Sequence, residues 1–98
     1  MAKTTLKVTT PAGEFTRTTD TAYTHAVVRT SKRAKDYVER VAAGKKPITS
    51  GVFARFLKDQ GHIVTWHQSE SAAQKAAAGE NKWDRETTLI GVFSASVA

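Results

Sequence analysis

Cysteine is missing from this chain, and its absence excludes several kinds of chemistry at once. Disulfide bonds, thiolate metal sites and cysteine nucleophiles all require it. A small protein without disulfides is also typical of a reducing compartment. We therefore expect a cytoplasmic protein.

Long apolar runs and glycine-rich motifs are absent as well. No apolar run approaches the ~18 residues that a transmembrane helix requires, and residues 1–3 lead into an alternating segment rather than the apolar core of a signal peptide. The six glycines are isolated, with no G-x-G phosphate loop, and no serine lies in a nucleophile-elbow pattern. We expect neither membrane association nor enzymatic activity.

The three histidines are the remaining candidates for metal ligands. His62 and His67 are an odd number of positions apart, so in one strand their side chains lie on opposite faces and cannot chelate one ion together. His25 belongs to a different predicted strand. The sequence therefore predicts no metal site and no cofactor.

Acidic residues are scarce in the first part of the chain. The first 58 residues contain twelve Lys and Arg but only four Asp and Glu, a formal charge of +8, whereas the remaining residues sum to −2. The densest basic stretch, residues 29–46, has seven basic and two acidic side chains. Such an asymmetric charge attracts anions, and phosphate is the commonest candidate.

The first thirty residues have the composition of β-strands. Ten of them are Thr, whose branched Cβ suits a pleated strand. Residues 3–9 alternate between apolar and polar, residues 10–13 supply turn chemistry, and residues 14–19 form the return strand of a hairpin. A third strand is predicted at 23–29.

Two helices are predicted in the residues after this β-rich region, the first from the helical spacing of its apolar residues. Residues 31–43 carry apolar side chains at helical spacing, with Thr30 or Ser31 as the N-cap and Gly44 at the end. An alanine-rich segment, residues 70–78, predicts a second helix that begins at Ser69 or Ser71.

Residues 52–57 fit two structures. As a strand, they would form a hairpin with the clear β segment at 62–67, through a loop at 58–61. As a short helix, they would be capped by Ser50 and ended by Gly61. We favour the hairpin because its second segment is so clearly β.

These elements, with a last strand at 87–93, predict one α+β domain over residues 1–98. Its antiparallel or mixed sheet would carry two helices on one face, in the order βββ-α-ββ-α-β. The expected core consists of Leu6, Val8, Phe15, Val28, Tyr37, Val38, Val41, Phe56, Val64, Leu89 and Val92.

Alternation within residues 23–29 defines a candidate binding face. We expect Ala26 and Val28 to face the helices, which leaves Tyr23, His25 and Arg29 on an open sheet face. Cations beside an aromatic ring are a suitable platform for phosphates and bases. With basic residues of neighbouring elements, the predicted nucleic-acid-binding set is Lys7, Arg17, Tyr23, His25, Arg29, Arg33, Lys45 and Lys46.

Two plainer interpretations remain open. The first helix could be an ordinary solvated face, because Lys32–Asp36, Lys35–Glu39 and Asp36–Arg40 are pairs of opposite sign at i,i+4 spacing. Alternatively, the protein could bind another protein through an apolar anchor, for which Trp83 and Phe53 are the candidates. A small anionic ligand is a third option.

The threonine-rich hairpin TPAGEFT at residues 10–16 and the segment YTHAVV at residues 23–28 resemble small accessory proteins of phages that infect actinobacteria. The resemblance covers about a third of the chain and assigns no site residue. It implies a non-enzymatic protein that acts on host or phage macromolecules, in the host cytoplasm.

Overall fold

The computed structural model describes residues 3–48, 51–79 and 87–98. Six strands and three helices are found in the described residues, and none of these helices is long and apolar enough to cross a membrane. In chain order they are β1 (Thr4–Thr10), β2 (Gly13–Thr19), β3 (His25–Thr30), α1 (Lys32–Ala42), α2 (Gly51–Lys58), β4 (His62–His67), α3 (Glu70–Ala78), β5 (Thr88–Ser94) and β6 (Ser96–Val97).

The strands form two three-stranded antiparallel sheets. The hairpin sheet has the order β2-β1-β6, and the central sheet has the order β4-β3-β5. This arrangement confirms the predicted α+β class. It also adds a third helix and divides the strands between two sheets.

The main core lies between the two sheets. Val8 and Phe15 of the hairpin sheet pack there with Ala26 and Val28 of β3. The opposite face of β3 carries Val27, which is also fully buried, and this face is covered by α3. Strand β3 is therefore buried on both sides, as its run of small apolar residues permits.

The prediction that Ala26 and Val28 face the helices is wrong. These two residues face the hairpin sheet, and the alternate residues of β3 face α3. The aromatic ring of Phe15 offers more apolar area for sheet packing than the methyl groups of α3. The alanines of α3 instead let the helix approach the other face closely, with Ala73 fully buried.

The predicted strand at 52–57 is also wrong, because these residues form α2. Phe53, Phe56 and Leu57 lie at helical spacing and join Tyr37 of α1 in a second core. The helix ends in a Schellman motif, in which the Gly61 N–H donates to the carbonyl of Phe56 at 2.8 Å. The expected cap, Ser50, lies outside the described residues.

The ends of the other two helices confirm the predictions. Ser31 and Ser69 are the N-caps of α1 and α3, and each hydroxyl accepts a hydrogen bond from a backbone N–H three residues on. Helix α1 ends in its own Schellman motif with Gly44 at φ +113°, and the Lys45 N–H donates to the carbonyl of Arg40 at 2.9 Å.

Most of the predicted core is inside, with one clear exception. Six residues are buried, namely Leu6, Val8, Phe15, Val28, Tyr37 and Phe56. Four are half-buried, namely Val38, Val41, Val64 and Val92. Leu89 is 43% exposed, because an irregularity of register between β3 and β5 brings Ile90 against the core instead.

Candidate nucleic-acid interface

The open sheet face predicted from the sequence does not form. Lys7 lies on the outer face of the hairpin sheet, with its Nζ 3.9 Å from the Glu14 carboxylate. Arg17 pairs across the strands with buried Leu6, so it lies on the inner face of that sheet. The cations of β1 and β2 therefore point in opposite directions.

Arg29 lies against a helix rather than solvent, and it is only 8% exposed. Its Nη2 donates to three carbonyl oxygens at the end of α3, those of Ala76 at 2.8 Å, Ala77 at 3.1 Å and Gly79 at 3.0 Å. A guanidinium in this position satisfies terminal carbonyls and complements the negative end of the helix dipole. The expectation that Arg29 lies on an open face is therefore wrong.

His25 faces the other end of α3. Its Nε2 lies 3.9 Å from the Glu70 carboxylate, and its Nδ1 shares a 2.8 Å hydrogen bond with the Thr24 hydroxyl. Its cross-strand partner His67 has a pKa lowered by burial, and its Nε2 is 2.9 Å from the Thr65 hydroxyl. Within the described residues, no three His, Asp or Glu side chains are grouped so that they could hold a metal ion.

Cations do gather between α1 and α2. A cleft of about 210 Å³, here the α1–α2 cleft, has Tyr37, Phe53 and Phe56 in its walls. The charged residues that line it are Arg33, Asp36, Arg40 and Lys45. Three positive side chains therefore meet one carboxylate over an aromatic surface.

Helix geometry explains why these cations converge. Arg33 and Arg40 are seven residues apart, which places them two turns apart on one face of α1. Lys45 is held in the Schellman motif, with its Nζ 5.4 Å from the centroid of the Tyr37 ring. The Tyr37 hydroxyl accepts a hydrogen bond from the Ile48 N–H at 2.8 Å, which anchors the segment after the helix.

The predicted residues Arg33 and Lys45 both line this cleft, and the predicted Lys46 is exposed beside Lys45. Arg40 was missed, although its i+7 spacing from Arg33 was a usable signal. The sequence suggested that Asp36 would pair with Arg40 instead. None of the three predicted i,i+4 pairs is among the ion pairs within 4.0 Å in the described parts of the chain.

A second cleft lies on the other flank of α2 and measures about 180 Å³. We name it the β2–α2–β4 cleft after the elements that line it. Its residues are Thr16, Arg17, Arg55, Lys58, Asp59, Val64 and Trp66. Arg55 and Lys58 were missed as site residues because residues 52–61 were assigned to a hairpin.

Direct contacts hold the rim of this second cleft in place. The Lys58 Nζ donates to the backbone carbonyl of Thr16 at 2.6 Å, which joins α2 to the hairpin sheet. The Arg17 guanidinium carbon lies 5.0 Å from the centroid of the Tyr23 ring. The predicted residues Arg17 and Tyr23 are thus brought together, but by a cation–π contact at this cleft.

One acidic group lies in the β2–α2–β4 cleft. Asp59 is only 9% exposed, and burial raises its pKa from 3.8 to about 6, although Lys58 and Arg55 act in the opposite direction. At neutral pH this carboxyl is still mostly ionised. It therefore opposes the binding of an anion deep in the cleft.

Of the two anchors expected for protein binding, Phe53 is among the described residues. Phe53 is half-buried, with ring centroids of Tyr37 and Phe56 at 5.1 and 5.9 Å, so it is part of an aromatic cluster. Trp83 lies outside the described residues. Three large apolar side chains of the described chain are exposed: Ile48 in the segment after α1, Leu89 on β5 and Val97 on β6.

Together the two clefts place six cations and two carboxylates along α2, three and one in each. No family model, no curated protein and no solved structure matches the chain.

Proposed function

We propose that this is a non-enzymatic nucleic-acid-binding protein that holds the phosphate backbone at the α1–α2 cleft. The observation that carries the proposal is the convergence of Arg33, Arg40 and Lys45 on one cleft that contains a single carboxylate, Asp36. Lys46 extends the positive surface next to Lys45.

The walls of the cleft strengthen its attraction for anions. Aromatic side chains have a low dielectric response, so a cleft lined by them focuses the field of its cations. A guanidinium group such as that of Arg33 or Arg40 can donate two hydrogen bonds to the oxygens of one phosphate, whereas the ammonium group of Lys45 acts as a point charge. The sequence has no glycine-rich loop to enclose a terminal phosphate, which favours a polymer over a free nucleotide.

Backbone binding of this kind has a measurable signature. Each phosphate contact releases counterions, and about four contacts would give a slope of about −3 for a single strand and about −4 for a duplex in a plot of log affinity against log salt. Protein binding through an apolar anchor would instead depend weakly on salt.

The test is fluorescence anisotropy with labelled single-stranded and double-stranded DNA and RNA, at about 50 and 200 mM salt. The variant Arg40→Glu/Lys45→Glu should bind at least about tenfold more weakly than the wild type. The control Lys3→Glu/Lys75→Glu has the same net charge but changes two exposed residues outside both clefts, so its affinity should stay within about threefold. No binding at low salt, or equal loss in both variants, contradicts the proposal; the first outcome favours the protein-interaction alternative.

A further inference from the structure

The β2–α2–β4 cleft differs from the α1–α2 cleft in its apolar lining. It is lined by half-buried Trp66 and Val64 of β4, together with the cations Arg17, Arg55 and Lys58. Its volume, about 180 Å³, is below the ~300–1,000 Å³ of pockets for whole drug-sized ligands. The cleft therefore suits a single ring system with a charged attachment.

We propose that the β2–α2–β4 cleft accepts one unpaired nucleobase of a single-stranded nucleic acid. This inference rests on the proposed function, because the same strand would continue into the α1–α2 cleft on the other flank of α2. The base stacks against Trp66 and the Arg17 guanidinium, and Arg55 and Lys58 contact the flanking phosphates.

The position of Arg17 supports stacking. Its guanidinium lies over the Tyr23 ring, and this contact holds the group at the edge of the cleft. Bases of single strands stack on aromatic rings and on arginine planes alike. Arg17, Tyr23 and Trp66 therefore offer a short series of flat groups, as sequence-tolerant single-strand sites do.

The buried carboxyl argues against a phosphate in the same place. Asp59 lies in the cleft and is shielded from solvent, so a second anion beside it would be repelled. The N–H groups on a base edge can instead donate to a carboxylate. Lys58 is partly engaged by the Thr16 carbonyl, which leaves it suited to a phosphate at the rim.

A duplex cannot satisfy this site. Its bases are paired and stacked, and moving one of them out costs a few kcal/mol. A single strand has no such cost. The inference therefore predicts a preference for single strands, whereas binding of the backbone alone gives no such preference, because the duplex has the higher phosphate charge density.

The experiment compares a labelled 12-nucleotide single strand with the 12-base-pair duplex of the same sequence. The wild type should bind the single strand about tenfold more tightly, which is within the range that one stacked base supplies. Arg17→Ala should lose this preference, with duplex affinity within about twofold of the wild type. Arg40→Ala, in the other cleft, should weaken binding of both nucleic acids and retain the preference.

Two further measurements guard against a folding artefact. Arg17→Lys keeps the charge and removes the stacking plane, so it should lose most of the preference as well. In a Trp83→Phe background Trp66 is the sole tryptophan, and its fluorescence should change on saturation with single strand but not with duplex.

The outcomes separate the two proposals. Equal binding of both nucleic acids by the wild type, or unchanged Trp66 fluorescence, overturns the base site and leaves backbone binding intact. No binding to either nucleic acid at low salt overturns both.

Discussion

The Arg29 guanidinium lies 2.8 Å from the carbonyl oxygen of Ala76, and this contact fastens the central strand β3 to the C-terminal end of α3. The two residues are 47 positions apart in the chain. Arg29 is the most buried cation of the described chain. It was predicted to bind nucleic acid, but in the structure it caps a helix.

We therefore expect Arg29→Ala to destabilise the fold by about 2–4 kcal/mol, because it removes charge-assisted hydrogen bonds and leaves terminal carbonyls of α3 unsatisfied. Urea unfolding followed by circular dichroism measures the change. Arg40→Ala, an exposed change on α1, should stay within about 0.5 kcal/mol of the wild type. Equal stability of the two variants would contradict the capping role.

Gly61 is required by both its backbone and its surroundings. Its φ is +84°, and an added Cβ would lie 2.9 Å from the Lys35 Cα, where α2 ends against α1. Gly61→Ala should therefore cost about 2–3 kcal/mol, since strain and a backbone clash add together.

Gly44 provides the matched control. It also has a positive φ, +113°, but an added Cβ would meet nothing within 4 Å. Gly44→Ala should lower the free energy of unfolding by only about 1 kcal/mol, because the positive φ disfavours alanine but no clash is added. Thermal melts of the two variants measure the difference, and similar losses would mean that the approach of Lys35 has no energetic effect.

Local signals in the sequence were sufficient for much of this fold. Ser31, Gly44 and Ser69 marked helix ends because capping depends only on neighbouring backbone groups. The alternation of Leu6 and Val8 identified β1 for the same reason. Caps and strand alternation can be identified from the sequence because each depends on residues only a few positions away.

The predictions that were wrong concern residues whose structure depends on contacts with distant parts of the chain. Phe53 and Phe56 suit a strand or a helix equally by residue type, and in the helix both rings pack against Tyr37 of α1. Likewise, Arg29 and Arg17 change from open-face cations to a helix cap and a cleft residue according to which surface covers each sheet. Tertiary packing overrides local preference at such positions.

His67 offers a test of burial on the central sheet. Burial lowers its pKa from the ordinary value of 6.5, because the charged imidazolium is the poorly solvated form. Two-dimensional NMR should show the His67 ring titrating at lower pH than a histidine in the urea-unfolded chain. An equal or higher midpoint would contradict burial at this face.

Asp59 should make stability depend on pH. Its pKa is 3.8 in the unfolded chain and about 6 in the fold, so between these values the folded state binds more protons and stability falls as pH rises. Well above pH 6 the carboxyl is ionised in both states, and its burial is a constant cost. After allowance for solvent screening, we expect that cost to be about 1–2 kcal/mol.

Asp59→Asn should therefore raise the midpoint of thermal unfolding at pH 7.5, and the gain should shrink as the pH falls toward 4, where wild-type Asp59 is protonated in the fold and the desolvation cost of its charged form is absent. Glu39→Gln removes an exposed carboxylate from α1 and serves as the control, with little change at either pH. A gain for Asp59→Asn that is the same at both pH values would show that titration of this carboxyl is not the cause. The same variant links stability to binding, because removal of the buried charge should also let a free phosphate enter the β2–α2–β4 cleft more readily.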